Sequence, residues 1–187
     1  MTNTQKRGRL VLLTISFMFF APMFLAMYLY FSDNAWRPAE STQHGQLVSP
    51  PVGLPDIPLD AEAARFREVW TLLVVADGQC DPLCLQTLEH VRQIRLSLGP
   101  KMTRLQNVFL PLVPAASEQL DRAAFPKLIV TGPETSILIQ DLIGNWVNGQ
   151  IFLVDPFGNL MMSYPPGTDM GDVRKDLGHL LKISTIG

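Results

Sequence analysis

The stretch "VVADGQCDPLC", residues 74–84, ends in the only two cysteines of the chain, Cys80 and Cys84. Two thiols separated by three residues suit three kinds of chemistry: a structural staple, a reversible redox couple, or two soft ligands for Cu(I). Both follow a hydrophobic run and lead into a helical pattern. The partial positive charge and free N–H groups of a helix start favour an anion, so a cysteine there tends towards thiolate. Asp77 and Asp81 act in the opposite sense, which predicts a tuned thiol and not an extreme one. A four-residue step along a regular first turn would put both sulfurs on one side. As a plain staple the pair is weak, because so short a loop yields only about 2 kcal/mol in the chain-entropy model. Cys80 and Cys84 are therefore the candidate catalytic residues and the candidate metal ligands.

The elements that must position them are legible around them. "WTLLVVA" (70–76) reads as a strand buried on both faces. Asp81 suits the cap of the next helix and Pro82 its first turn, with Cys84, Leu88, Val91 and Leu98 at helical spacing and Gly99-Pro100 as the stop. "NVFLPLVPA" (107–115) predicts a second buried strand, a short helical segment is expected near 117–124, and the apolar stretch 127–144 is ambiguous. "GQIFLVDPFGNLMMSY" (149–164) predicts two strands joined by a turn that uses Pro156 and Gly158. A last helix is expected over 169–183, with Met170, Val173, Leu177 and Leu180 on one face. This order fits an α/β layer sandwich with helices on both faces.

Upstream, residues 10–31 contain no charged residue. At roughly 1.5 Å per residue they are long enough to cross a bilayer as a single helix. Lys6, Arg7 and Arg9 precede the run without an acidic residue among them, which predicts a cytoplasmic N-terminus (1–9) and a periplasmic C-terminal part. The run is too long for the apolar core of a signal peptide, and no small-x-small cleavage site follows it. Residues 32–59, rich in Pro, Ser, Gln and Gly, predict a periplasmic tether, and 60–187 the folded domain. Beyond residue 31 there are twelve Lys and Arg against 17 Asp and Glu, a balance that excludes nucleic acid as a partner.

An N-terminal anchor, a Pro-rich tether, a strand running into CxxxC at a helix start, and the later "IFLVDPFGNLMMSY" together resemble the SCO/SenC family. These are membrane-anchored thioredoxin-fold proteins that help mature cytochrome c oxidase, and the likeness in layout covers about residues 65–184. It implies a thioredoxin-like sandwich in the bacterial inner membrane. It also implies copper as the metal, with Cys80 and Cys84 at the positions of two of the family's three ligands. The third, a histidine, belongs a few residues before the strand ending in "LVDP", and "IGNWVNGQIFLVDP" has none around Val147. The proline that thioredoxins place before this strand is replaced in the neighbourhood of Gly149, and Asp81 stands where SCO proteins usually have a proline.

The three histidines, His44, His90 and His179, read as solvated surface groups. Trp146 and Asn148 are candidates to line the cysteine site, Trp146 more simply as packing. Met161 and Met162 read as core, since neighbouring strand residues face opposite ways, and Asp155-Pro156 reads as turn chemistry. Three functions follow. The first is an accessory factor for cytochrome c oxidase biogenesis, acting on copper delivery or on the thiols of a copper-receiving oxidase subunit, with other assembly factors as partners. The second is a general periplasmic thiol-disulfide oxidoreductase. The third is a non-catalytic thioredoxin-like scaffold that binds an oxidase subunit.

Overall fold

The computed structural model describes residues 3–31, 43–59, 64–113, 117 and 120–186. They fall into two compact units, one ending at Thr42 and the other spanning Gln43–Gly187.

The first unit contributes one helix, α1 (Asn3–Phe31), with Pro22 inside it. Its segment Arg7–Phe31 is long and apolar enough to cross a membrane. Apolar side chains are exposed all round it, among them Leu12, Phe17, Phe24 and Tyr30. A helix apolar on every side and, among the described residues, buried against none of them matches a lipid-facing span. Thr14 Oγ1 donates to the Leu10 carbonyl at 2.9 Å, which satisfies a hydroxyl that lipid would leave unpaired.

The second unit is a six-stranded sheet in the order β1-β6-β5-β2-β3-β4. Its strands are β1 (Gln46–Gly53), β2 (Trp70–Ala76), β3 (Leu105–Pro111), β4 (Leu128–Val130), β5 (Ile151–Val154) and β6 (Asn159–Tyr164). β2, β3 and β4 run parallel, whereas β5, β6 and β1 pair antiparallel. Every residue of β2 is buried, as expected of an uninterrupted apolar strand at the sheet centre. Side chains alternate between the faces. Leu72 and Val74 meet Leu88 and Val91 of α2 (Pro82–Ser97) together with Val173 and Leu177 of α4 (Met170–Ile183). Leu73 and Val75 meet Ile139 of α3 (Pro133–Ile143) on the opposite face, along with Leu54, Leu59 and Phe66. The architecture is the expected α/β sandwich, thioredoxin-like in layout, with helices on both faces.

The expectation for residues 32–59 changes. The stretch read as a bare tether joins the sheet over Gln46–Gly53, and Leu54 and Leu59 enter the core. Its prolines concealed the strand. Pro50 and Pro51 lie in a bulge between the pairs Leu47↔Met162 and Val52↔Leu160, at the sheet edge where missing N–H donors are tolerated. Residues 32–42 and 60–63 lie outside the described residues. The ambiguous stretch 127–144 resolves into β4 and α3, with Gly132 as N-cap, Pro133 in the first turn and Gly144 (φ 75°) at the end. Near 117–124, Ser117 is helical as expected, residues 118 and 119 lie outside the described residues, and 121–125 form turns through Ala124 N–H to the Asp121 carbonyl and Phe125 N–H to the Arg122 carbonyl.

His44 is exposed, as expected, but it is bonded to the folded unit and is no part of a free tether. Its Nδ1 lies 2.9 Å from Asp176 Oδ1, its backbone N–H donates to Asp176 Oδ2 at 2.9 Å, and Gly45 N–H donates to the same oxygen at 2.9 Å. Tyr164 Oη donates to it as well, at 3.1 Å. Burial alone would raise the Asp176 carboxyl, but the bonds from His44, Gly45 and Tyr164 outweigh it and hold the group below its ordinary range. Burial, reinforced by the Asp176 charge, pushes the Tyr164 phenol far up. Asp176 thus ties the start of the folded unit to α4 and β6.

Candidate thiol site

β2 ends at Ala76, and the chain turns through Asp77, Gly78 and Gln79 before Cys80. Gly78 has φ 92°, a conformation L side chains rarely adopt. Asp81 caps α2 as its sequence suggests, its Oδ1 accepting from Cys84 N–H at 2.8 Å, and Leu85 N–H donates to the Asp81 carbonyl. Cys80 therefore precedes the cap and is not helical, so the expected regular first turn does not include it. The two sulfurs meet nonetheless. Cys80 and Cys84 form a disulfide, with Cα atoms 5.2 Å apart. Both belong to the core cluster on the α2 face, Cys80 at 5 % exposure and Cys84 at 0 %.

The facing wall is the loop before β5. Val75 N–H donates to the Gln150 carbonyl and Gly149 N–H to the Val75 carbonyl, which seats this loop beside the end of β2. Asn148 then reaches across the cysteine turn. Its Oδ1 accepts from Asp77 N–H at 3.2 Å and its Nδ2 donates to Asp81 Oδ2 at 3.4 Å. Asn148 thus lines the site, as its position suggested, whereas Trp146 packs into the cluster on the opposite face. Gly149 has φ 77°, which a proline ring fixed near −65° does not reach, so the thioredoxin proline has no counterpart here. Thr87 and Pro166 stand closest to Gly149. Sequence reading missed both. The only signal was the place of Thr87 one turn after Cys84, where an apolar residue would read as plain core.

The donor set determines what this site holds. The cap carboxylate already occupies the α2 start, where a thiolate would otherwise gain. Val147, nearest to the missing histidine, is exposed, and among the described residues no group of three His, Cys, Asp or Glu side chains converges. His44 is committed to Asp176, His90 lies half-buried on α2, and His179 is exposed on α4. Asn148 and the carboxylates offer hard oxygen, which suits Cu(I) poorly. A copper centre of two thiolates and one histidine does not fit these residues.

The other candidates resolve as structure. Asp155 Oδ1 accepts from the N–H groups of Phe157 and Asn159, closing the β5–β6 turn with Gly158 at φ 82°. Met161 occupies a bulge between the pairs Leu153↔Met162 and Val154↔Leu160. The simple alternation expected for Met161 and Met162 therefore fails, and both pack against the α2-side core.

The family profile described as "Transmembrane-like, thioredoxin-like, C-terminal domain" matches residues 70–184. No curated protein matches the chain. Among solved structures, apo Sco1 from Thermus thermophilus is 19% identical, with 76% of this chain and 99% of that one covered at a TM-score of 0.60. Copper-bound yeast Sco1 is 15% identical over 74% of this chain and 97% of that one, with a TM-score of 0.59. Copper-bound ScoI from Bradyrhizobium japonicum is 15% identical over 68% and 98%, with a TM-score of 0.52. At such identities the likeness is one of fold.

Proposed function

We propose, for a chain that belongs to the transmembrane-like, thioredoxin-like C-terminal domain family, that Cys80 and Cys84 are a reversible couple acting on the thiols of a copper-receiving subunit during cytochrome c oxidase assembly. The Sco-like fold supports the setting, and the absent third copper ligand favours thiol exchange over copper delivery. The observation that carries the reading is the place of the disulfide. It sits at the end of the central strand and the start of α2, under the Asn148 bridge, and it joins no distant segments.

In the reduced pair, the Cys80 thiolate attacks one sulfur of a substrate disulfide. That disulfide breaks, its other sulfur leaves with the electron pair and takes up a proton, and a Cys80–substrate bond forms. Cys84, as thiolate, then attacks Cys80 Sγ, which closes the Cys80–Cys84 bond and releases the second substrate thiol. The substrate gains two electrons and the pair loses two, and a dithiol reductant of the same compartment restores the pair. Cys80 is assigned the attacking role because it retains a little exposure and Cys84 none. The basic flank of α1 supports a single span in the inner membrane, with residues 1–9 in the cytoplasm, 10–31 crossing and the folded part in the periplasm.

The burial of both sulfurs favours a second reading, the scaffold whose disulfide is structural. One experiment separates the two. In cells expressing the full chain, Cys84→Ser should accumulate a reductant-sensitive mixed disulfide through Cys80, and Cys80→Ser should not. If neither variant traps a partner, and alkylation of the reduced wild type needs denaturation, the exchange reading fails and the scaffold stands.

A further inference from the structure

One edge of the sheet is occupied by β1 and the other by β4. Among the described residues no strand pairs with the outer side of β4. Thr131 N–H donates to the Phe109 carbonyl. By the two-residue alternation of a strand, Ile129 therefore turns its backbone groups to β3, and Val130 points its N–H and carbonyl outward. Beside this edge runs an open groove of about 410 Å³, flanked by Arg95, Arg122 and Lys127. The side chains of Arg122 and Lys127 make no hydrogen bond or ion pair among the described residues, and the Arg95 guanidinium donates only its Nε, to the Leu105 carbonyl. The adjacent Asp121 carboxylate is taken by Ala123 N–H. Three cations along one edge stand out on a domain whose formal charge is negative.

The groove shares Arg95, Phe125 and Leu128 with a smaller cavity of about 120 Å³ between α2 and β3. Asn107 lines that cavity at 4 % exposure, and its Oδ1 has no hydrogen-bond partner. A buried acceptor without a donor is costly, and here it opens on a space otherwise walled largely by apolar groups. The volume is comparable to cavities that hold one benzene-sized ring. A tyrosine side chain supplies the matching apolar body and donor tip.

We propose that the β4 edge docks an extended acidic segment of a partner protein, which adds a strand at Val130, sets its carboxylates against Arg122 and Lys127, and seats one tyrosine in the Asn107 cavity. The mode is strand addition, with main-chain bonds for affinity and a side-chain pocket for selectivity. It involves no thiol chemistry, so it stands whether or not Cys80 and Cys84 exchange. The cavity begins at Leu88, one helical turn after Cys84, so an occupant of the groove lies along the helix that carries the disulfide.

The test uses the full chain in a non-ionic detergent and an acetylated eight-residue peptide of alternating Val and Glu with a central Tyr. Binding is read by fluorescence anisotropy at low salt. The double variant Arg122→Glu/Lys127→Glu should weaken it about tenfold or more, since attraction at two sites becomes repulsion. Tyr→Phe in the peptide should weaken it about fivefold against the unaltered protein and not at all against Asn107→Leu. Amide exchange should slow at Val130 on addition of peptide, and stay as it was at Ile129, which is already paired. Because the Tyr→Phe comparison is made on the wild-type chain, it holds even if Asn107→Leu fails to fold. Indifference to charge reversal, equal binding of the Phe peptide by the wild type, or unchanged exchange at Val130 would overturn the proposal. So would protection of Val130 that follows protein concentration without peptide, which would make the occupant a second copy of this chain.

Discussion

Asp176→Asn tests how the folded unit begins. The carboxylate receives the backbone N–H groups of His44 and Gly45, the Tyr164 hydroxyl and the His44 ring, all at 3.1 Å or less by their shorter contacts. An asparagine oxygen in the place of Oδ2 keeps the bonds from His44 N–H, Gly45 N–H and Tyr164, but as a neutral acceptor. Bonds of about 1.5–3 kcal/mol thus become bonds of about 0.5–1.5 kcal/mol, and the NH2 faces the His44 ring. Weakening three such bonds by about 1 kcal/mol each predicts a destabilisation of about 3 kcal/mol, a large share of the roughly 5–15 kcal/mol that holds a domain. At about 2–4 °C per kcal/mol for a domain of this size, Tm of the full chain in detergent should fall by about 10 °C, read by tryptophan fluorescence. Tyr164→Phe, which removes one donor, should cost about a third of that. The pH dependence has a definite sign. Because the folded Asp176 carboxyl titrates below its unfolded value, its contribution is complete above the ordinary carboxylate range and is lost as pH falls through the folded value. The gap between wild type and Asp176→Asn should therefore be constant from neutral pH to about 5 and close under more acid conditions. Equal Tm values at pH 7, or a gap that widens on acidification, would refute the argument.

Three further outcomes are expected. A periplasm-active reporter fused after residue 187 should work and a cytoplasm-only reporter should not, whereas recovery of a mature chain starting near residue 32 would overturn the anchor. The reduced chain should bind at most one Cu(I) and hold Cu(II) poorly in a competition titration. Cys80→Ser should abolish that binding and His90→Ala or His179→Ala leave it intact, and tight Cu(II) binding by the wild type would reveal a third ligand the donor set lacks. Gly149→Ala, at φ 77°, should destabilise the chain by about 1 kcal/mol or more through backbone strain, and denaturant unfolding at unchanged midpoint would contradict the assigned conformation.

The parts of the fold written in strong local chemistry were legible in the sequence. An uninterrupted apolar run made β2, Asp81 and Pro82 marked the start of α2, and Asp155, Pro156 and Gly158 marked the hairpin turn. What escaped depended on partners far along the chain. β1 carries prolines and polar residues and forms only because β6 offers it an edge. β4 spans three residues, too short for periodicity to separate it from the helix that follows. His44 looked unattached because its partner Asp176 lies 132 positions away. In the candidate site, the cysteines and Asn148 could be read from position, but the burial of both sulfurs could not. Both sulfurs belong to the α2-side core, which assembles from residues far along the chain.

The two margins of the sheet differ in what they permit. Polymerisation of folded domains by strand pairing needs two receptive margins on each molecule, one to accept a neighbour and one to offer to the next. β1 presents a margin interrupted by the successive prolines Pro50 and Pro51, which have no N–H to donate. Among the described residues the β4 margin carries no such interruption, so strand pairing between copies would end after a single addition. A crowded membrane surface can therefore carry many copies of this domain, each with its receptive margin exposed, and no fibre will propagate among them.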